Sequence, residues 1–367
     1  MRIGIMLRTI DEKQGIGIYT INLIEEILNL DRKNKYVLFY KTKEHLGRFA
    51  GHTNVKEALI KGGNKLIWDQ VKIPLALRRE QVDLLFHTKF TLPFLVHCKT
   101  VMSIHGASWF VHPELYGKMD VAYIKTVMPL YCRKADFIVS NSKVTTNDYL
   151  RLMPVTAGKI RTIHLGYNAN FKVIEDPHIL EAARKKYALP GKFILWVGKY
   201  DPRKNFDNLI KAYKLMRRDT DCRIALAGIG CEKYVEEYGL AEDVKNGYIK
   251  ILGWVDHGDL PALYNLAWCM LFPSVYEEFG IPTCEAMACG CPPLVSNTGA
   301  LPEIAGEAGI LVKPFDPEDI AAKAREIWES HDLREKQRSL ALKRAKAFNW
   351  RQCAEKTLSV FEEVGGG

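Results

Sequence analysis

Glu277 and Glu285 place two carboxylates eight residues apart at the start of a predicted helix. Pro282 suits a first helical position, because its φ is fixed and the amide proton it lacks would have no acceptor there. Gly290 suits the far end, where a left-handed residue commonly caps a helix. We therefore predict that Glu277 lies on the preceding loop and that Glu285 lies within the first helical turn.

The loop before this helix has the features of an anion-binding site. Phe279, Gly280 and Ile281 fall at the predicted helix start, where backbone N–H groups lack intrahelical acceptors and the dipole favours negative charge. Carboxylates beside such amides can accept hydrogen bonds from hydroxyl groups. Donors for phosphate together with acceptors for hydroxyls are what a nucleotide sugar requires. The structural alternative is an amphipathic helix whose first turn is simply acidic.

A basic turn follows another predicted strand. The run Val197–Phe206 reads VGKYDPRKNF and leads into a predicted helix. Ligands of open α/β sheets bind beyond the carboxyl ends of the strands, which is where Lys199, Arg203 and Lys204 should lie. Fixed cations aimed at a diphosphate stabilise the charge that gathers as its glycosidic bond breaks. The structural alternative is a solvated surface turn.

These motifs resemble the large retaining glycosyltransferase family that has the GT-B fold and an E-x7-E motif, which includes many bacterial mannosyl- and glucosyltransferases. The resemblance rests on the run 277–288, on 299–303, which reads GALPE, and on the basic turn. It implies that Glu277 holds the hydroxyls of the donor sugar and Glu285 the ribose. It also implies that Lys199, which stands where arginine is more usual, and Lys204 grip the diphosphate, with Arg203 as a further donor-binding residue.

The resemblance also assigns residues in the first half of the chain. The family has a glycine-rich loop near the donor phosphate where this sequence has Gln14–Gly17, so Gly15 and Gly17 are candidate donor-binding residues. Alone this loop is weak, since it is not G-x-G-x-x-G. The family also uses a histidine against the donor sugar at the end of the strand that precedes His105. His105 therefore joins Glu277, Lys199 and Lys204 as a candidate catalytic residue.

Two glycine-containing strand ends in the second half are candidates for holding the nucleoside. They are Gly228–Gly230 and Gly253–Val255. Small residues permit close approach, and backbone groups near Val255 could bind the base. Simple tight turns are the structural alternative. Leu263 and Tyr264 are predicted to belong to the core.

Strand-like and helical runs alternate along both halves, which favours parallel sheets covered on both faces. We predict an α/β protein with the GT-B fold, in which two Rossmann-like doubly wound domains face each other across a cleft. Residues 1–170 would form the acceptor-binding domain and residues 171–347 the nucleotide-sugar-binding domain. Residues 348–367 would form a helix that crosses back to the first domain. The strands are expected at 3–7, 36–40, 84–86, 99–104, 137–139, 161–164, 193–197, 223–227, 249–252, 270–273, 293–295 and 309–312.

Composition limits the classes of protein to consider. The 367 residues suit two domains, and 47% hydrophobic with 26% charged residues is typical of a globular protein. No run approaches the roughly 20 apolar residues of a membrane span, and the first residues do not read as a signal peptide, so we expect a cytoplasmic protein. Cys284, Cys289 and Cys291 cluster without a histidine partner at zinc-ligand spacing, so we expect no bound metal.

Positive charge is concentrated in the first half. Residues 1–180 contain 26 Lys and Arg against 16 Asp and Glu, whereas the rest is nearly neutral. Three explanations of this charge are open: binding to the inner face of an anionic membrane, binding to an anionic acceptor, or a solvated surface without a partner. Nucleic acid is not favoured, because no binding motif accompanies the charge. The segment Trp68–Arg79 is interpreted as packing of the first domain, with contact to an acceptor or a membrane as the alternative.

The sequence thus predicts a retaining glycosyltransferase that moves a hexose, with mannose favoured, from a nucleotide-diphosphate sugar to a glycan or lipid-linked acceptor. GDP-mannose is the favoured donor, with UDP- and ADP-sugars next, and no cofactor is expected. No Asp-x-Asp motif stands at a predicted strand end, so we expect metal-independent transfer. The alternative is an epimerase of the same fold or a non-catalytic nucleotide-sugar-binding subunit. A dehydrogenase is disfavoured by the missing glycine fingerprint.

Overall fold

The computed structural model describes residues 1–12, 15–199 and 201–366. Gln14 of the glycine-rich loop, Tyr200 of the basic turn and the last residue of the predicted terminal helix, Gly367, therefore lie outside the described residues. The chain divides into two compact units. Unit 1 comprises residues 1–166 and 349–366, and unit 2 comprises residues 167–348.

Unit 1 is built on a seven-stranded parallel sheet in the order β3-β2-β1-β4-β5-β6-β7. Most of its strands are apolar and buried along nearly their whole length, as expected for strands covered by helices on both faces. Its strands are β1 (Arg2–Met6), β2 (Lys35–Tyr40), β3 (Val55–Leu59), β4 (Leu84–His87), β5 (Lys99–Ile104), β6 (Phe137–Ser140) and β7 (Ile160–Thr162).

The helices of unit 1 lie between these strands. A π turn at Trp68–Lys72 joins α2 to α3, so that residues 65–79 form one continuous helical segment. Two 3₁₀ turns cover Pro113–Leu115 and Pro154–Thr156. The helices are α1 (Ile16–Leu30), α2 (Lys65–Ile67), α3 (Ile73–Arg79), α4 (Ser108–Val111), α5 (Lys118–Lys134) and α6 (Lys143–Leu152).

Unit 2 repeats the scheme with a six-stranded parallel sheet in the order β10-β9-β8-β11-β12-β13. The predicted fold class, two Rossmann-like α/β domains, is confirmed by the two sheets. The strands of unit 2 are β8 (Ile194–Val197), β9 (Ile224–Ala227), β10 (Ile249–Gly253), β11 (Cys269–Phe272), β12 (Pro293–Ser296) and β13 (Ile310–Val312).

Nine α-helices of the described residues accompany this second sheet, with 3₁₀ turns at Pro202–Lys204 and Gly306–Ala308. They are α7 (Pro177–Tyr187), α8 (Phe206–Arg217), α9 (Cys231–Glu237), α10 (Ala241–Lys245), α11 (Leu260–Leu266), α12 (Ile281–Ala288), α13 (Leu301–Ala305), α14 (Pro317–Glu329) and α15 (His331–Ala345).

The last helix, α16 (Trp350–Gly365), belongs to unit 1. The Asn349 side chain caps its first turn by accepting a hydrogen bond from the Gln352 amide at 2.8 Å. The Phe361 ring meets Phe86 of β4 edge-on, with the ring centres 5.1 Å apart. The C-terminal helix is therefore part of the core of unit 1.

The strand order locates the places where ligands would bind. In an open α/β sheet, the crevice lies where the order of the strands reverses, beyond their carboxyl ends. In unit 2 this switch point lies between β8 and β11, which pair in parallel. The basic turn follows β8 and the Glu277 loop follows β11. The two motifs therefore meet at the switch point.

Two local predictions were wrong. The strand Val55–Leu59 was not expected, because its sequence VKEAL mixes charged and apolar residues and it lies at the sheet edge. The first helix begins at Ile16 and includes Gly17, which was assigned to the glycine-rich loop before it.

Candidate active site

The centre of the site in unit 2 is an ion pair between Lys204 and Glu277. Lys204 Nζ lies 2.7 Å from Glu277 Oε1, and the two side chains are only 16% and 14% exposed. The same ammonium lies over the ring of Phe272, 4.5 Å from its centre. A cation and a carboxylate are therefore held side by side at the switch point, where the cation can bind phosphate and the carboxylate can accept from hydroxyls.

Asn205 fixes the backbone that carries Lys204. It adopts a left-handed conformation with φ of 55°, which asparagine tolerates better than most residues. Its buried side-chain amide donates to the carbonyl oxygens of Pro273 at 2.8 Å and Pro314 at 2.5 Å. The Val275 amide also donates to the Arg203 carbonyl oxygen at 2.8 Å. These bonds tie the basic turn after β8 to the loop after β11.

Asp201 organises the other two cations of the basic turn. Arg203 donates to it through Nε at 3.1 Å and Nη2 at 2.8 Å, and Lys199 Nζ lies 3.8 Å away. Burial raises the pKa of Asp201, but the hydrogen bonds and charge of Arg203 outweigh it, so that its pKa lies below the usual value. The guanidinium fork of Arg203 thus faces a carboxylate of its own turn.

The start of α12 differs in detail from the prediction. Glu277 lies on the loop, as expected, but Ile281 is the first helical residue, so that Pro282 is the second and Glu285 the fifth. Glu285 therefore begins the second turn. Gly280 precedes the helix with φ of 90°, and a Cβ there would lie 2.7 Å from the Leu301 side chain. The predicted left-handed glycine at the far end is present, with φ of 73° at Gly290.

Glu285 is more deeply buried than we expected of a residue that holds the ribose of the donor. Only 6% of the residue is exposed, and its Oε2 accepts a hydrogen bond from the buried Tyr264 hydroxyl at 3.4 Å. Burial raises the pKa of Glu285 to about 8. Nearby in sequence, the hydroxyls of Ser274 and Thr283 are buried, with no hydrogen-bond partner within the described residues. The loop and the first turn of α12 thus hold polar atoms whose bonding capacity is unused.

Residues 299–303, which read GALPE, pack against the backbone of Glu277. The Ala300 amide donates to the Glu277 carbonyl oxygen at 2.9 Å. A Cβ at Gly299 would lie 2.7 Å from that same oxygen, and the backbone there has φ of 60°. Glycine is required because the two chain segments approach this closely.

Glycines also shape the ends of the neighbouring strands. The Gly228 amide donates to the Gly253 carbonyl oxygen at 2.7 Å, and a Cβ on Gly228 would lie 1.4 Å from the Gly198 carbonyl oxygen. Val255 follows β10 and is 5% exposed. The strand that it follows is the edge strand of the sheet, three strands from β11, which precedes the Glu277 loop.

Unit 1 holds the remaining candidate residues. Gly15 precedes α1 with φ of 42°, and a Cβ on Gly17 would lie 1.6 Å from the Glu12 carbonyl oxygen. His105 directly follows β5, and its Nε2 lies 2.7 Å from the Thr88 carbonyl oxygen. The Tyr19 ring of α1 meets the His105 ring edge-on at 4.7 Å. The glycine-rich helix start and the histidine are therefore linked through Tyr19.

The environment of His105 favours the neutral imidazole, since burial lowers its pKa to about 4. Asn141, which sequence reasoning missed, follows β6 and donates from Nδ2 to the His105 carbonyl oxygen at 3.3 Å. Its Oδ1 is buried without a hydrogen-bond partner among the described residues. A polar side chain directly after an apolar strand was the available signal.

The cysteines show no pairing, since all nine are free and eight of them are buried. Burial raises the pKa of the Cys289 thiol to about 12. Across the described ranges, no three His, Cys, Asp or Glu residues are grouped so that they could hold a metal ion. Nor does any helix of those ranges have the length and apolar content needed to cross a membrane.

Comparison with solved structures defines the class of protein. Sucrose-phosphate synthase from Thermosynechococcus elongatus superposes with a TM-score of 0.79 at 21% identity, over 99% of this chain and 98% of that one. The Anabaena protein HepE in complex with UDP gives a TM-score of 0.79 at 16% identity, over 99% and 100%. The two sheets and these likenesses define a protein with the GT-B fold.

Sequence comparison then gives the family. The family model for glycosyl transferases group 1 matches residues 181–344, and that for glycosyltransferase family 4 matches residues 14–171. The O-antigen chain mannosyltransferase B of Escherichia coli is 31% identical over 289 residues, covering 77% of this chain and 75% of that protein. The chain belongs to this glycosyltransferase family, and it is a glycosyltransferase.

Proposed function

We propose that this chain is a retaining mannosyltransferase that uses GDP-mannose and extends a glycan or lipid-linked acceptor in the cytoplasm. The similar Escherichia coli protein is named an O-antigen chain mannosyltransferase, which supports the sugar and the type of acceptor. UDP- and ADP-sugars are the next candidates for the donor. HepE has been crystallised with UDP, but at 16% identity that likeness concerns the fold.

The observation that carries the proposal is the Lys204–Glu277 pair at the switch point of unit 2. In the proposed complex, Lys204 turns from Glu277 to the donor diphosphate and Glu277 accepts hydrogen bonds from the sugar hydroxyls. Lys199, Arg203 and the amides at the start of α12 add positive potential around the diphosphate. Glu285 and the backbone near Val255 would hold the nucleoside.

Lys204 would contribute most as the glycosidic bond breaks. Negative charge then moves onto the leaving diphosphate, so a preorganised ammonium stabilises the transition state more than the bound donor. A retaining transfer without a protein nucleophile would have the acceptor attack the same face of the sugar, with its proton passing to the leaving phosphate. In this proposal, the neutral His105 keeps its Nε2–H on the Thr88 carbonyl oxygen and accepts a hydrogen bond from a sugar hydroxyl through Nδ1.

A transfer assay tests the proposal. The protein is incubated with GDP-mannose, UDP-glucose or ADP-glucose and a mannose oligosaccharide, and the nucleotide released and the product anomer are measured by chromatography and NMR. We expect release of GDP from GDP-mannose and an α-linked product. Inversion at the anomeric carbon would refute the retaining mechanism, and turnover of another donor alone would refute the assignment of GDP-mannose.

The basic character of unit 1 supports a peripheral contact with an anionic membrane. Unit 1 contains 27 Lys and Arg residues against 17 Asp and Glu. Such a contact would bring the enzyme to a lipid-linked acceptor.

A further inference from the structure

One helical segment of unit 1 has apolar side chains on both of its sides. This segment runs through α2, the π turn and α3, and its inner side packs in the core through Trp68, Ile73 and Leu77, which are fully buried. Trp68 Nε1 also donates to the Ile60 carbonyl oxygen at 2.9 Å. The segment is therefore firmly attached to the unit, and its outer side is a fixed surface.

The outer side carries an apolar stripe. Ile67, Val71 and Leu75 follow one another at intervals of four residues, which places them on one face of a helix. They are 44%, 52% and 62% exposed, and Leu66 beside them is 63% exposed. Scattered apolar residues are normal on a surface, but a continuous exposed stripe indicates an interaction site.

The exposed charged side chains of residues 61–79 are all positive. One of them, Arg79, is paired with the buried Glu80, with Arg79 Nε 3.3 Å from Glu80 Oε1. Residues 61–79 contain five basic side chains, and those of Lys61, Lys65, Arg78 and Arg79 are exposed. The one acidic residue of this stretch, Asp69, is buried, and its Oδ1 lies 3.2 Å from Arg8 Nε. We call the exposed residues Leu66, Ile67, Val71, Leu75, Lys61, Lys65, Arg78 and Arg79 the apolar–basic face.

A neighbouring loop extends this surface. The Gln70 side chain donates to the Leu92 carbonyl oxygen and accepts from the Phe94 amide, both at 3.0 Å. The loop is thereby held against the π turn. Phe94 and Leu95 in it are 40% and 79% exposed.

We propose that the apolar–basic face binds the surface of a membrane that contains anionic lipid. The apolar stripe would insert between the head groups, and the lysine and arginine side chains would reach the lipid phosphates. A second copy of the chain fits less well, because a two-fold contact would bring two sets of four exposed cations together. The net positive charge of the whole unit fits an extended anionic surface.

This inference adds a membrane-binding surface to the proposed function. Only the purpose of that binding, access to a lipid-linked acceptor, rests on the proposed function. Membrane binding by the apolar–basic face would hold the transferase where a lipid-linked acceptor is embedded. The binding itself requires neither donor nor acceptor, so the two can fail independently.

Vesicle flotation of the full chain tests the proposal. Vesicles of phosphatidylcholine alone are compared with vesicles that also contain phosphatidylglycerol, at low and high salt. We expect the protein to float with the anionic vesicles at low salt and to be released from them by salt. Val71→Ser with Leu75→Ser should weaken partitioning about tenfold. Lys61→Gln, Lys65→Gln and Arg78→Gln should weaken it roughly fivefold for each charge removed.

Matched control variants lie in unit 2. Ile179 and Phe315 are 51% and 67% exposed, so Ile179→Ser with Phe315→Ser removes similar apolar surface elsewhere. Lys245→Gln, Lys336→Gln and Lys343→Gln remove three exposed charges. Both sets should bind vesicles like the unaltered protein.

Several outcomes would overturn the proposal. The first is that the unaltered protein does not bind anionic vesicles, and the second is that the face variants bind them as well as their controls do. The third is that light scattering shows a dimer that the double variant Val71→Ser with Leu75→Ser converts to monomer. GDP-induced stabilisation is measured on the same variants. Loss of vesicle binding with unchanged GDP stabilisation in the face variants supports the surface, whereas absence of GDP stabilisation in every form counts against the proposed function alone.

Discussion

The Tyr264 hydroxyl and the Glu285 carboxylate lie 3.4 Å apart in the interior of unit 2. Glu285 was predicted to bind the nucleotide-sugar donor and Tyr264 to belong to the core. The structure shows that the two residues are in contact. This contact gives the site a buried carboxyl group whose protonation differs between the folded and unfolded chain.

Stability should therefore depend on pH through Glu285. Its pKa is raised from 4.5 to about 8 in the folded protein. Below pH 4.5 the group is protonated in both states, and between these values the folded state retains a proton that the unfolded state has lost. The free energy of unfolding should fall as pH rises through this window, by at most about 1.4 kcal/mol per pH unit. Glu285→Gln should flatten this dependence in urea titrations, and an unchanged slope would contradict the prediction.

The ion pair Lys204–Glu277 should show coupling in a double-mutant cycle. Because both side chains are mostly buried, removal of either one leaves a charge poorly solvated. We expect an interaction energy of about 1–3 kcal/mol from urea unfolding of Lys204→Ala, Glu277→Ala and the double variant. The exposed pair Lys211–Asp207, at 2.6 Å, is the control and should give less than about 1 kcal/mol. Equal coupling in both cycles would show that burial of the pair is unimportant.

Gly228 should be essential for the shape of the site. A methyl group there would collide with the Gly198 carbonyl oxygen at 1.4 Å, in a backbone with φ of 146°. Gly228→Ala should lower the melting temperature and weaken GDP binding, since it separates the ends of β8 and β9. Gly258→Ala is the control, because no atom lies within 4 Å of its added Cβ. Equal melting temperatures and GDP affinities for the two variants would be incompatible with this packing.

Transfer should persist after metal removal. In the proposed complex, Lys199, Arg203 and Lys204 would neutralise the diphosphate in place of a divalent ion; the structure shows them paired with Asp201 and Glu277. The rate with GDP-mannose should be unchanged after dialysis against EDTA, compared with buffer containing Mg²⁺. Loss of transfer in EDTA and recovery with Mg²⁺ would refute metal independence.

Sequence reasoning worked where the signal was local. The position of Glu277 on a loop and the left-handed Gly290 followed from residues close to them in the chain. The parallel sheets followed from the alternation of strands and helices. The edge strand Val55–Leu59 was missed because only its pairing with β2 makes it a strand.

Contacts between distant residues could not be predicted. Asn205 holds the basic turn through carbonyl oxygens that lie 68 and 109 residues away. The pairing of Arg203 with Asp201 within the turn competes with the expected use of Arg203 on the donor. The Asn205 contacts depend on the packed backbone, which no single motif encodes.

The most direct test of the central claim is thermal stabilisation by GDP in Lys204→Ala compared with Lys211→Ala. Lys204 lies at the switch point beside Glu277, whereas Lys211 lies on the exposed side of α8. Ligand that binds only the folded state raises its melting temperature. GDP should stabilise the unaltered protein and Lys211→Ala to the same extent, and Lys204→Ala much less. Equal stabilisation of all three would show that the diphosphate does not bind at Lys204.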